Sequence, residues 1–409
     1  MVSVFPATRL NSWRTPRQCE TITVATELIS EEGRVSRVLR FAIVGVTAAV
    51  VAAGIAALAL ASTPASTRTA GADSPSGVTV TAGPPLRAAP PGVSKQADAL
   101  AFFPRVATIT AGQSVTFDIA GFHTVTFANR KDFPLVVPSP PGKQPATNDA
   151  AGEPLWWGGA APLLGLNPRA IPQLGGATIS SPSQVRSSGL QRLLAAGNKP
   201  PKPYILTFTK PGLYRFFCIV HAGMHGAIRV LPSTATAPPA SQATAHAQAE
   251  LSNVLASIKS VQATNPTEKL TVWIGTGKLS GAEVTSFFPK RLVVNTGDTV
   301  KFVQHDPTDI HTVTFGTKAY TAQIEKAFIG PRGAFDPFAV FPSEPPGPPG
   351  TPVSYDGTNH GNGYLNAGIV YPYTTKQTPH LFRVTFTRAG VYHFECVIHP
   401  NMDGTIVVR

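Results

Sequence analysis

Three residues near the C-terminus have the types and spacing to hold a metal: Cys396, His399 and Met402, in the stretch FRVTFTRAGVYHFECVIHPNMDGTIVVR (382–409). A thiolate, an imidazole and a thioether at Cys-x2-His-x2-Met spacing form a soft donor set. One Cys with two His and a weak axial Met is the trigonal arrangement that favours copper and suits it to electron transfer. The loop lacks only a second His, and His311 in DIHTVTF is the candidate.

The arrangement occurs twice. YILTFTKPGLYRFFCIVHAGMHGAIRV (204–230) carries Cys218, His221 and Met224 at the same spacing, and GFHTVTF supplies His123 as the counterpart of His311. Upstream, FFPRVATITAGQSVTF (102–117) matches FFPKRLVVNTGDTVKF (287–302), so the chain contains an internal duplication. The chain has three Met and three Cys; apart from Met1 and Cys19, every one lies in these two loops. An inert buried thiol is the common fate of a Cys, and a Cys218–Cys396 disulfide is a further reading for an exported chain. Neither explains why both His and both Met recur at matched distances. The remaining histidines, His225, His246, His305, His360, His380 and His393, sit in no such pattern and are expected to bind no metal.

At these residues the sequence resembles the cupredoxin family, the plastocyanin, azurin and amicyanin group: the Cys-x2-His-x2-Met loop has the short amicyanin-like spacing, and His-x-Val-x-Phe resembles the segment with that family's first His ligand. The resemblance covers residues 99–231 and 270–409. It implies an all-β chain with two tandem antiparallel Greek-key β-sandwiches, one type 1 copper at the end of each, and electron transfer. It also implies that the imidazole edges of His221 and His399 reach the surface in apolar patches, beside Ala222 and Gly223 in one loop and Pro400 in the other. The long segment between first His and Cys in both repeats departs from the pattern of a small cupredoxin.

The rest of the chain must position and deliver these loops. Its 43% hydrophobic and 14% charged residues suit folded material, and its 40 Pro and 36 Gly point to loops rather than helices. Residues 1–40 read as a cytoplasmic or unstructured leader. Phe41–Ala61 is uncharged and long enough to cross a bilayer. With Arg34, Arg37 and Arg40 before it, everything after Ala61 is expected outside the cytoplasm. The run reads equally as a membrane anchor or, through Ala59-Leu60-Ala61, as a cleaved signal peptide. Residues 62–98, rich in Ser, Thr, Pro, Ala and Gly, read as a disordered linker. Residues 232–269 read as a second linker carrying an amphipathic helix, with Ala247, Leu251, Val254, Leu255 and Ile258 on one face. Period-two alternation turns Tyr214, Phe216 and Cys218 inward and leaves Phe217 needing cover. Trp156 and Trp157 suggest an ordered lid over the first sandwich.

The part after Ala61 carries 28 Lys plus Arg against 18 Asp plus Glu, a net of +10, which suits an acidic redox partner, an anionic lipid or a cell-wall polymer. No aromatic-interleaved basic motif points to nucleic acid. Two other functions fit the donor sets: a copper oxidoreductase of the nitrite reductase or multicopper oxidase type, which would need ligands for further copper, and a copper-sequestering protein. The paired His-x-His motifs of a trinuclear cluster are absent. Asp403 follows the second Met where His225 follows the first. A carboxylate there would lower the potential of the second copper and send electrons from the second site to the first.

Overall fold

The computed structural model describes residues 77–84, 90–191, 202–330 and 333–409, all within one compact unit. The leader and the apolar run Phe41–Ala61 lie outside the described residues. Among those described, no helix is long and apolar enough to cross a membrane.

Two β-sandwiches account for most of the unit. The first has one sheet in the order β3 (Phe102–Phe103), β1 (Thr79–Ala82), β5 (Ser114–Ile119), β11 (Tyr204–Phe208), β9 (Thr178–Ile179). Its facing sheet runs β10 (Arg186–Ser187), β6 (Thr126–Phe127), β12 (Gly212–Phe217), β13 (His225–Leu231), β4 (Val106–Thr110). In the second sandwich one sheet runs β19 (Val353–Tyr355), β21 (Leu381–Phe386), β17 (Thr299–Gln304), β14 (Thr271–Lys278), β15 (Ala282–Phe288), β2 (Ala97–Ala99). The other runs β16 (Arg291–Val294), β23 (Asp403–Val408), β22 (Gly390–Glu395), β18 (Thr314–Phe315), β20 (Leu365–Asn366). Neither sandwich is purely antiparallel: β1 with β5, β4 with β13, β14 with β17 and β16 with β23 are parallel pairs.

Alternating side chains decide which face turns inward. In β17 and β23 every second residue is buried, and the two cores repeat one aromatic arrangement. Phe216 meets Phe102, Phe117 and Phe127 at centroid distances of 4.8, 5.4 and 5.2 Å. Phe394 meets Phe287, Phe302 and Phe315 at 4.8, 5.1 and 5.3 Å. Burying each such ring contributes about 1.5–3 kcal/mol, so these clusters anchor the strands that end in Cys218 and Cys396.

The stretch expected as a disordered linker is partly built into both sandwiches. Thr79–Ala82 pairs in parallel with β5 as Thr271–Ile274 does with β17, which shows Thr-Val-Thr-Ala-Gly to be the counterpart of Thr-Val-Trp-Ile-Gly (271–275). Ala97–Ala99 crosses over and pairs with β15 of the second sandwich. Composition concealed both strands, because their partners are distant in sequence. Helix α1 (Ala240–Val261) buries Val254, Ile258 and Val261 against Ala97, Ala99, Phe103, Ala282 and Val284, a cluster drawn from both sandwiches.

The described parts of the long segments before each Cys share one core. In the first, strands β7 (Val136–Lys143) and β8 (Pro162–Leu166) form a ribbon. In the second, α2 (Lys318–Ala327) starts at Thr317, whose hydroxyl accepts from the Tyr320 amide, and the short α3 (Pro337–Val340) follows Asp336. Trp157 is fully buried, stacked on Phe341 and edge-on to Phe338, while Trp156 Nε1 donates to the Pro342 carbonyl at 2.8 Å. The tryptophans are therefore not a lid on their own sandwich. They form half of a core completed by the other, and Phe217 is covered there, with the Arg130 guanidinium 5.1 Å from its ring centre.

Candidate metal centres

Each repeat gathers its two histidines and its cysteine at one end of the sandwich. His123 precedes β6, Cys218 follows β12, and His221 lies in the loop closed by Met224; His311, Cys396, His399 and Met402 occupy the same places in the second. His123 Nδ1 and His221 Nδ1 are 3.0 Å apart, and the Cys218 sulfur lies 3.9 and 3.6 Å from them. The second group repeats those separations, 3.0, 3.9 and 3.6 Å, among His311, Cys396 and His399. A triangle with these sides has a circumradius of about 2.1 Å, and metal–imidazole and metal–thiolate bonds run roughly 2.0–2.3 Å. The donors present thus fit one small metal ion in each group. Met224 and Met402 are buried at the cores' edges, and their carbonyls accept from the Cys218 and Cys396 amides at 3.0 and 2.9 Å.

The groups around the donors hold them still. The Thr124 amide points at the Cys218 sulfur at 3.5 Å and the Thr312 amide at Cys396 at 3.3 Å. The same threonines' hydroxyls accept from Ile219 N and Val397 N, both at 2.9 Å, which ties the turn after each Cys to the strand after the first His. Burial alone would raise both thiols. The flanking imidazoles overcome it and hold Cys218 and Cys396 well below the ordinary thiol range, the thiolate form a metal requires.

Outside the triangles the centres differ. His123 faces backbone: a Cβ on Gly83 would sit 2.0 Å from its Nε2, and Gly83 has φ of +57°. Among the described residues no carboxylate forms an ion pair with His123. His311 instead meets Asp306, Nε2 to Oδ2 at 3.2 Å, with both side chains fully buried. Asp306 also accepts from Thr308 N and Oγ1 at 2.8 and 2.7 Å. Next to it is Glu283, buried and pushed well above the usual carboxyl range, first by burial and then by the Asp306 charge; Glu283 is the protonated partner and Asp306 the ionised one.

Asp309 lies between the two centres. One carboxylate oxygen, Oδ2, is 3.1 Å from His399 Nε2 and 3.6 Å from His221 Nε2. Burial would raise its pKa, but His399 and then His221 hold it well below the ordinary range. Burial pulls His399 down and Asp309 overrides that, leaving it well above the normal range. A cavity of about 490 Å3 adjoins both centres, with Asp98, His221, Glu283, Asp309 and His399 in its wall.

One expectation needs correction: His221 does not open outward but is buried, and it converges with the partly exposed His399 on Asp309. Ala222, expected in an exposed apolar patch, donates its amide to the Thr308 carbonyl at 3.0 Å. The carboxylates in contact with ligand candidates are Asp306 and Asp309. Of the other histidines, none joins a donor triangle. His305 stacks on Trp273 at 3.9 Å, His360 pairs with Asp149 and Glu344, His380 meets the Tyr371 carbonyl, and His393 lies 3.4 Å from Glu395. Cys218 and Cys396 are both free thiols.

A scan against family models finds no match, and neither does a search of curated proteins. Solved structures similar to part of the chain include plastocyanin from Dryopteris crassirhizoma, with 18% identity over 34% of this chain and 99% of that one at TM-score 0.19. Auracyanin A, a "blue" copper protein from Chloroflexus aurantiacus, has 18% identity over 35% and 98% at 0.22. Amicyanin from Paracoccus versutus has 18% identity over 36% and 89% at 0.18.

Proposed function

We propose that this chain is an extracytoplasmic electron carrier with two type 1 copper centres, held by His123, Cys218 and His221 with Met224, and by His311, Cys396 and His399 with Met402. The observation that carries the reading is the repeated His-Cys-His triangle, with the same three separations in both sandwiches. Copper bound there supplies a one-electron couple. The protein's part is to keep two imidazoles and a thiolate in one geometry in both oxidation states, through the Thr124 and Thr312 hydrogen bonds and the aromatic cores beneath. The apolar run Phe41–Ala61 supports placement outside the cytoplasm, anchored or released, and the basic composition supports an acidic redox partner.

An oxidoreductase would need ligands for a further metal. Among the described residues the other group of such side chains is Glu283, Asp306 and His311, and its imidazole already belongs to the second triangle. That favours the carrier.

Metal analysis and an absorption spectrum of the full chain test the proposal. Two copper ions per chain and an intense thiolate-to-copper band are expected, with Cys218→Ser and Cys396→Ser each removing about half of the band. Retention of the whole band in either variant would show that only one site is of type 1. Copper lost on reduction would point instead to sequestration.

A further inference from the structure

We propose that the two centres exchange electrons with each other through the His221–Asp309–His399 bridge, and that His399 is the outward port of the pair. The inference rests on the copper reading above. Three observations support it. The first is the bridge itself: each imidazole turns Nδ1 toward its own Cys and Nε2 toward the same Asp309 oxygen, at 3.6 and 3.1 Å. One carboxylate oxygen, hydrogen-bonded to His399 and 3.6 Å from His221, thus fills the space between the two ring edges, and electron tunnelling falls steeply with every ångström of empty gap.

The second is a backbone link. Ala222, next to His221, donates to the carbonyl of Thr308, next to Asp309, at 3.0 Å. The first ligand loop is thereby attached to the segment that carries the bridging carboxylate, and the two cannot drift apart independently.

The third is unequal exposure. The His221 side chain is 8% exposed and that of His311 fully buried, whereas the His399 side chain is 19% exposed beside the exposed Pro400 and Asn401. The second centre is therefore the more accessible of the two to a partner protein. Gly121, two residues before His123 as Asp309 is two before His311, offers no carboxylate in return.

The step balances simply. With copper in both triangles, one electron would leave the second centre and arrive on the first, with no bond made or broken. Asp309 is a positioning residue.

The test uses the full-length, copper-loaded chain. After a pulse of substoichiometric one-electron reductant, the second centre is expected to fill first and then pass its electron to the first at a rate independent of protein concentration. Asp309→Leu should retain both charge-transfer bands while slowing this internal step by an order of magnitude or more, after correction for the measured change in both potentials. Asp309→Asn, which preserves shape, should slow it less. Glu268→Gln, on a remote exposed pair, should leave it unaltered. A second arm does not depend on any Asp309 variant folding. In Cys396→Ser a protein-sized reductant should fill the first centre far more slowly than in the wild type, whereas Cys218→Ser should leave reduction of the second centre at its normal rate. An internal rate indifferent to Asp309→Leu, or a first centre that fills as fast in Cys396→Ser, would overturn the bridge. Absence of the charge-transfer bands from the loaded wild type would instead overturn the copper reading.

Discussion

Replacing Asp306 with Asn should raise the potential of the second centre and leave the first unaltered. The Asp306 carboxylate is 3.2 Å from His311 Nε2. Adding the imidazole ring and a metal–nitrogen bond of about 2 Å puts its charge about 7 Å from a metal held at Nδ1. At an effective dielectric of about 20 that charge is worth about 2.4 kcal/mol in favour of the more positive oxidised state. For a one-electron couple this corresponds to about 100 mV. Salt screens little of it, because both side chains are fully buried. Removing the Asp306 charge also relieves part of what holds the buried Glu283 carboxyl up, and charge regained there offsets part of the effect, bringing the expected rise to about 50–100 mV. The substitution also carries a structural cost. One carboxylate oxygen serves Thr308 N and Oγ1 while the other serves His311, and a single amide oxygen cannot do both, so about 1–3 kcal/mol of stability should go with the lost acceptor. Redox titration of the two-copper protein, with Cys218→Ser and Cys396→Ser as single-centre references, reads both effects. A second-centre potential that stays put or falls while copper is retained would refute the charge argument. So would an equal rise at the first centre, which Asp306 does not touch. In the wild type the same argument places the second centre below the first, the order expected from the sequence, but through Asp306, since Asp309 faces both centres.

Gly83→Ala should disable the first centre alone, since the new Cβ would overlap His123 Nε2 at 2.0 Å in a backbone with φ of +57°; copper stoichiometry should drop from two to one with the second band intact. Trp157→Ala should cost about 3–5 kcal/mol, and because its core is shared, thermal unfolding should remain a single transition at lower temperature rather than split into two. His360, raised first by Glu344 and also by Asp149, contributes stability that is full below 6.5 and lost as pH rises through its folded pKa. Asp149, held down by His360, adds a contribution present above 3.8 and lost on acidification. This bridge between the two insertions should thus contribute most between those values, about 1 kcal/mol at this partial exposure, and His360→Ala should flatten the fall in melting temperature above pH 6.5.

The candidate ligands were legible because a metal imposes residue type and spacing within one short loop, and duplication displayed the pattern twice. The distant His123 and His311 were found through their shared His-Thr-Val-Thr-Phe context. Asp306 and Asp309 were missed although a signal existed: Gln304–Ile310 is longer than the matching Ile119–Phe122 and carries two aspartates there. Strand β1 was hidden differently. Thr-Val-Thr-Ala lies in a stretch whose composition resembles a linker, and only its parallel pairing with β5 makes it part of a sheet. The facing of His221 and His399 could not be read at all, since it depends on how two sandwiches dock, and no local pattern encodes that.

The docking also gives the long insertions a physical role. Two sandwiches joined only by residues 232–269 would sample many relative orientations, yet one carboxylate oxygen lies within 3.6 Å of an imidazole from each. Holding that geometry requires constraints on more than one side. One is the cluster under α1 with the crossing strand Ala97–Ala99. The other is the core built by the insertions, where Trp157 stacks on Phe341 and Trp156 is hydrogen-bonded to Pro342. The two insertions contribute to a single buried cluster rather than to one each. The extra length in both repeats is thus the material that fixes the distance between the centres, and a change in this core should disturb exchange between them before it disturbs either donor triangle.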